Sequence, residues 1–202
     1  CQVSAPEGSG WFRYEITSLG ELKGLKMRFF GLGAKVMEKL GVSTQLIAPG
    51  DIFPALELGT IDAAELSFPA LDLDLGFYEV AKHYYFPGWH QPTTFGELMI
   101  NLDDWNSIAP RQQALLQSIC KESIARTLAE SEAIQFAALQ ELQTKGVTLH
   151  RWSTEILEAF EAAWMEVVAE EASKDADFAR VWDSLRTFRE NYTVWGDLGY
   201  ID

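Results

Sequence analysis

The sequence predicts an α/β chain: an open, largely parallel sheet, a long connecting helix and a helical C-terminal tail. Three observations carry this class. Between Leu25 and Glu65 short apolar runs alternate with helical stretches in a βαβαβ rhythm with Gly-containing joints, the pattern of an open parallel sheet. From Pro110 to Lys145 an amphipathic pattern runs without an internal Gly or Pro and stops at Gly146. From Asp177 to Asn191 the residues Phe178, Val181, Trp182, Leu185 and Phe188 recur at helical spacing.

Taken in order, Leu25–Phe30 reads as a strand, Ala34–Leu40 as a helix closed by Gly41, and Ser43–Ala48 as a strand. Asp51–Leu58 is helical, with Asp51 as N-cap after Pro49-Gly50 and Gly59 at its end, and Ile61–Glu65 is a further strand. Gly31 and Gly33 fall at the first strand-to-helix joint; a Gly-x-Gly-x-x-Gly phosphate loop fails there because Val36 holds the third place. Pro69 to Pro92 is aromatic and turn-rich around Pro87-Gly88, a composition suited to lining a cleft. Thr94–Asn101 reads as a strand, Pro110 begins the long helix, Val147–Trp152 is a short strand, and Ser153-Thr154-Glu155 caps a helix that runs to about Ala172. The tail helix then gives way to an aromatic segment, Tyr192 to Tyr200.

Thirty acidic against sixteen basic residues give a net charge of −14, which repels phosphate backbones, so nucleic acid is excluded as a partner. An anion site on such a surface has to be a local basic feature, and this directs attention to single arginines. No run of eighteen apolar residues occurs, and Cys1 to Gly10 holds neither a basic leader nor an apolar h-region, as a mature chain also would not. Cys1 and Cys120 lack metal spacing, and both a disulfide and free thiols stay open. His83, His90 and His150 show no His-x-x-x-His spacing and adjoin no nucleophile motif.

Six stretches carry a resemblance: Gly10-Trp11-Phe12-Arg13, Leu22 to Arg28, Phe30 to Val36, Asp51 to Gly59, Ile61 to Glu65, and Tyr84-Tyr85-Phe86-Pro87-Gly88-Trp89-His90. Together they resemble the DctP-like solute-binding subunit of tripartite ATP-independent periplasmic (TRAP) transporters, in the branch that includes receptors for 2-oxo acids and lactate. The resemblance implies a type II periplasmic-binding-protein fold and an extracytoplasmic receptor, located in the periplasm, that hands a small carboxylate to membrane permease subunits. It further implies that part of the first lobe and the secretion signal lie outside this sequence. On that frame 1–68 form the ligand-binding lobe core, 69–109 the cleft-lining segment and crossing strand, 110–176 the spanning helix with the strand and helix after it, and 177–202 a tail suited to homodimerisation.

From the residues alone, Arg28 reads as a surface arginine paired with a neighbouring acid. The resemblance makes it the anchor of the substrate carboxylate, a role that suits a planar guanidinium at a strand end. The family's bound cation, Ca²⁺ or Na⁺, would meet Glu7 and Gln91, where the usual order of amide and acid is exchanged but one of each remains. The family's aromatic after the acid Glu65 is replaced by Leu66-Ser67, so Phe68 is expected at the pocket wall and Ser67 as an oxygen donor to the ion. Glu65 itself and Trp89 complete the expected substrate contacts. No organic cofactor is implied.

Two other classes compete with a receptor. One is a metal-assisted enzyme acting on a small carboxylic acid, with Glu65, Asp72 or Asp74 and His90 as acid and base. The other is a helical interaction module built on the long helix and the aromatic tail.

Overall fold

The computed structural model describes residues 1–200. A six-stranded sheet has the order β4-β3-β5-β2-β6-β8, formed by β2 (Gly10–Phe12), β3 (Lys26–Arg28), β4 (Ser43–Gln45), β5 (Ala63–Ala64), β6 (His83–Phe86) and β8 (Thr148–Arg151). β3 pairs in parallel with β4 and β5, and β6 in parallel with β8, whereas β2 runs antiparallel between β5 and β6. Helices α1 (Gly31–Lys39) and α2 (Pro49–Glu57) supply the two crossovers expected from the βαβαβ rhythm. Gly31 starts α1 at φ +64°, a left-handed conformation that favours glycine at this tight joint.

Side chains alternate across the sheet with the period of two that a strand dictates. Phe12, Met27, Ala63 and Tyr85 enter one apolar cluster with Met37 and Phe160. Trp11, Ala64 and Tyr84 enter the other with Ile52, Leu56 and Leu142. The second layer contains one charged group, the carboxyl of Asp72 from α3 (Pro69–Asp74), which is 1% exposed. Its Oδ2 accepts from Trp11 Nε1 at 2.9 Å and Tyr84 Oη at 2.8 Å, beneath two rings stacked 4.0 Å apart. Asp72 is thus a core residue, not an acid–base group, while Asp74 lies at the exposed end of α3.

Three expectations are corrected. Ala48, not Asp51, is the N-cap of α2, because Pro49 at the first helical position has no N–H to satisfy and moves the start back. The Thr94–Asn101 strand shortens to β7 (Thr94–Gly96), and α4 (Leu102–Ser107) follows, capped by Asn101, whose side chain accepts from Asp103 N at 2.8 Å. The aromatic tail is no separate segment: α7 (Ala176–Gly199) carries helix through it, and Asp175 alone separates α7 from α6 (Thr154–Lys174).

The long helix α5 (Pro110–Thr144) has 35 residues and spans about 52 Å. Beside it β1 (Gln2–Ser4) pairs antiparallel with β7 on one edge. On the helix side Val3 N and Ala5 N donate to Thr127 Oγ1 at 3.1 Å and Ser131 Oγ at 2.9 Å. Cys1 and Cys120 form a disulfide that fastens the same strand to α5, which closes the alternative the spacing left open.

Burial, opposed by the Trp11 and Tyr84 hydrogen bonds and reinforced by the charges of Glu65 and Glu7, holds the Asp72 carboxyl up at about 7 against an ordinary 3.8. Between those values the folded chain binds the proton that the unfolded chain has released, so stability falls as pH rises from about 4 to about 7 and levels off above. The loss is on the order of 4 kcal/mol. Asp72→Asn should remove this slope, so that melting temperatures of parent and variant diverge with rising pH; parallel curves from pH 4 to 8 would contradict the assignment.

Candidate functional site

Five of the six strands run the same way, so their C-terminal ends share one edge, and the antiparallel β2 begins there. Open α/β sheets bind ligands at this edge, where backbone and side chains leave the sheet unobstructed. Arg28 ends β3, opposite Ala64 of β5, and Glu65 follows directly. Glu7 precedes β2, and the loop after β6 brings His90 and Gln91 to the same place. Glu7 N donates to Gln91 O at 3.2 Å and Gly8 N to Ser67 O at 3.0 Å, which stitches the three segments together.

Arg28 and Glu65 form a buried ion pair, Nη1 to Oε2 at 3.0 Å, with exposures of 6% and 3%. Arg28 Nη1 also donates to the Glu65 carbonyl, and Nε to Ile47 O at 3.3 Å. Among the described residues no acceptor meets Nη2, so one arm of the guanidinium is unpaired. Removing a charge this buried from its partner is costly, so Glu65 holds the arginine in its aim.

Glu65 Oε1 lies 3.3 Å from His90 Nε2, and Glu7 Oε2 lies 3.7 Å from the same nitrogen. One ligand atom from each of Glu7, Glu65 and His90 falls within 4.8 Å of the others. Gln91 Nε2 donates to Glu7 Oε1 at 2.8 Å, and Thr94 Oγ1 donates to it at 3.3 Å. Burial pushes the Glu7 carboxyl up, against the hydrogen bond from His90 and with the charge of Glu65. Burial alone would lower the His90 imidazole, but hydrogen bonds to Glu65 and Glu7 and their charges outweigh it, so its pKa is raised. With His90 neutral the two carboxylates outnumber the one arginine, and the cluster then has room for an added positive charge. Its hard oxygen donors fit Ca²⁺ or Na⁺, with Glu7 and Glu65 as carboxylates and Gln91 supplying its amide oxygen after a turn of the amide. The His90 Nδ1 is buried without a partner.

The structure therefore gathers Arg28, Glu65, Glu7 and Gln91 into one place. Trp89 adjoins it: the ring packs on Phe160 at 4.8 Å and Phe29 at 5.9 Å and lines a cavity of about 560 Å³ with Phe30, Gly33, Trp164 and Trp182. Ser67 is close, but its carbonyl already accepts from Gly8 N and from Tyr84 Oη at 3.4 Å. Phe68 is half-buried at the N-terminus of α3 and is not part of the cavity wall. His90 lies between Glu7 and Glu65, beside the expected ion contacts, though sequence reasoning named it as an acid–base candidate and not as an ion contact. Its partners come from other segments, so no histidine spacing signals it, and only adjacency to Trp89 and Gln91 does.

Comparison with known proteins shows the family. Residues 8–175 match the family described as bacterial extracellular solute-binding protein, family 7. A monocarboxylate 2-oxoacid-binding periplasmic protein of Nostoc sp. is 37% identical over 199 residues, covering 96% of this chain and 55% of its own length. A TRAP transporter solute-binding protein of Bordetella bronchiseptica, a mixed-occupancy dimer with calcium and picolinate, superposes with a TM-score of 0.90 at 36% identity, over 98% of this chain and 59% of that one. A TRAP solute-binding protein of Colwellia psychrerythraea with calcium and pyruvate also gives 0.90, at 33% identity over 98% and 61%. One from Pseudoalteromonas atlantica, with sodium and pyruvate, gives 0.88 at 33% over 98% and 60%. The chain thus spans a little over half the length of these relatives.

Gly88 sets the approach of the loop to Glu7. A Cβ there would fall 2.0 Å from the Glu7 carbonyl oxygen and 2.7 Å from its carbon. Gly88→Ala should therefore displace the Glu7 backbone and lower stability by about 1–3 kcal/mol. Thermal melts check this, and an unchanged melting temperature would show that the loop and the Glu7 backbone do not depend on this contact.

Proposed function

The chain belongs to family 7 of the bacterial extracellular solute-binding proteins, and from that premise we propose that it binds a small monocarboxylate of the 2-oxo acid or lactate type through Arg28. The observation that carries the reading is the Arg28 guanidinium, buried at a strand end, held by Glu65 and left with Nη2 unclaimed among the described residues. A Ca²⁺ or Na⁺ ion at Glu7, Glu65 and Gln91 supplies a second positive group to the substrate carboxylate. Trp89 walls the site on the side of the cavity. Ser67 and Phe68 have weaker support, since the Ser67 carbonyl is already engaged and Phe68 stands away from that wall.

The enzyme reading gives way, because the proteins this chain matches are described as solute-binding proteins and Asp72 has a place in the core. A receptor needs no bond-making group, only a site whose ligand favours one arrangement of the protein over another. The family description places the chain outside the cytoplasm, and we assign it to the periplasm as the partner of the membrane permease subunits of a TRAP transporter. The disulfide between Cys1 and Cys120 suits an oxidising compartment.

We also assign α7 to a second copy of the chain. Val181, Leu185, Phe188, Tyr192 and Trp195 are 60, 41, 62, 43 and 59% exposed. Their spacing of four, three, four and three residues draws one apolar seam along the helix, the pattern by which helices pair. The Bordetella bronchiseptica relative is itself a dimer.

Calorimetry with pyruvate, in calcium and in chelator, tests the site. Arg28→Lys should weaken binding by about 10- to 100-fold, the loss of one or more charge-assisted hydrogen bonds, and chelator should weaken it in the parent. Equal affinity in Arg28→Lys and parent would overturn the assignment. For α7, Leu185→Asp with Phe188→Asp should halve the mass seen by light scattering; a parent already monomeric at tens of micromolar would remove the dimer.

A further inference from the structure

A second cluster of ligating side chains stands apart from the carboxylate site. His83 opens β6 and His150 is the third residue of β8, and the parallel register sets His83 against Thr148 and Tyr85 against His150. His83, Tyr85 and His150 therefore share one face of the sheet, with the two histidines diagonal to each other. His83 Nδ1 and His150 Nε2 are 2.9 Å apart. His83 begins the strand whose far end leads to His90, and it pairs with Phe12 at the end of β2, so the cluster lies toward the opposite edge of the sheet.

We propose that His83 and His150 form a metal site for a borderline divalent ion such as Zn²⁺, with Glu15 as the carboxylate that orients His150. Glu15 Oε1 lies 3.8 Å from His150 Nδ1, the nitrogen that faces away from His83. A carboxylate on one ring nitrogen draws the proton there and leaves the lone pair of the other for a metal. His150 cannot easily turn, because its ring stacks on Tyr85 at 4.5 Å and 10°. Tyr85 is itself pinned, its hydroxyl accepting from Ile16 N at 2.7 Å and donating to Ile16 O at 3.1 Å.

The distances suit the chemistry. Two imidazole nitrogens on one tetrahedral zinc stand about 3.3 Å apart at the usual Zn–N length, so the pair need open by only a few tenths of an ångström. β8 is an edge strand, the His150 side chain is 15% exposed and Glu15 56%, so an ion can enter and water can fill the remaining positions. Nitrogen donors prefer a borderline ion and the oxygen-rich cluster at Glu7 and Glu65 a hard one, so the two sites would not compete for the same metal.

The test uses Zn²⁺ as probe on the whole chain with calcium in excess. Calorimetry should show one zinc event that survives Glu7→Gln, drops at least tenfold in His83→Ala and in His150→Ala, and weakens about tenfold in Glu15→Gln. The absence of a zinc event, its survival in both histidine variants, or its loss in Glu7→Gln would overturn the site and leave the pair as a histidine–histidine hydrogen bond. Because the chain has 3 histidines, proton NMR of the parent checks the result without any variant. Zinc should move two imidazole signals and leave the third, which calcium and pyruvate address. A shift confined to that third signal would equally sink the proposal.

Discussion

The organisation of the site rests on one buried contact, the ion pair of Arg28 and Glu65 at 3.0 Å. A guanidinium with 6% exposure in a chain of net charge −14 has lost most of its hydration, and only a close carboxylate offsets that cost. Parallel pairing of β3 with β5 sets Arg28 opposite Ala64 and so puts the acid one residue beyond. The remaining geometry follows from Glu65. Its second oxygen meets His90, His90 meets Glu7, and Glu7 meets Gln91, so that the polar groups form a line from one strand end to the next.

With His90 neutral the charge along that line is unbalanced: two carboxylates share one arginine, and the cation proposed above would make up the difference. For the anionic ligand proposed above, which the field of the whole protein would repel at long range, affinity would have to come from groups held within a few ångströms, the Arg28 arm and such a cation. Around them the sheet supplies rigidity: Trp11 and Tyr84 are locked by Asp72 below one face, and Phe12, Tyr85 and Trp152 interleave above the other.

Away from this edge the chain is held differently. The β1–β7 pair has no sheet beyond it, so its free edge is met by hydroxyls of α5 and its end by the disulfide. α7 has the opposite character, with an apolar seam that the described residues do not cover. The first case is an edge satisfied from within the chain, and the second is an apolar surface left exposed among the described residues.

Much of this was legible from residue order. The βαβαβ segment declared itself because short strand-like runs alternate with helical stretches and glycine marks their joints, as Gly31 and Gly41 do; the length of α5 followed from the want of Gly or Pro before Gly146. Arg28, Glu65, Glu7 and Gln91 were legible as candidates through motifs that place them at element ends. Strands β1, β2 and β6 were not, since no alternation with glycine-jointed helices frames them as it frames β3, β4 and β5. Nor was the position of His90 between Glu7 and Glu65, the core position of Asp72, or the approach of His83 to His150. Each depends on a side chain from a distant segment, and sequence periodicity records only neighbours along the chain. Local backbone preference and apolar pattern thus determined the elements; the pairing of strands decided which charges meet, because burial leaves each of them only the partners the sheet provides.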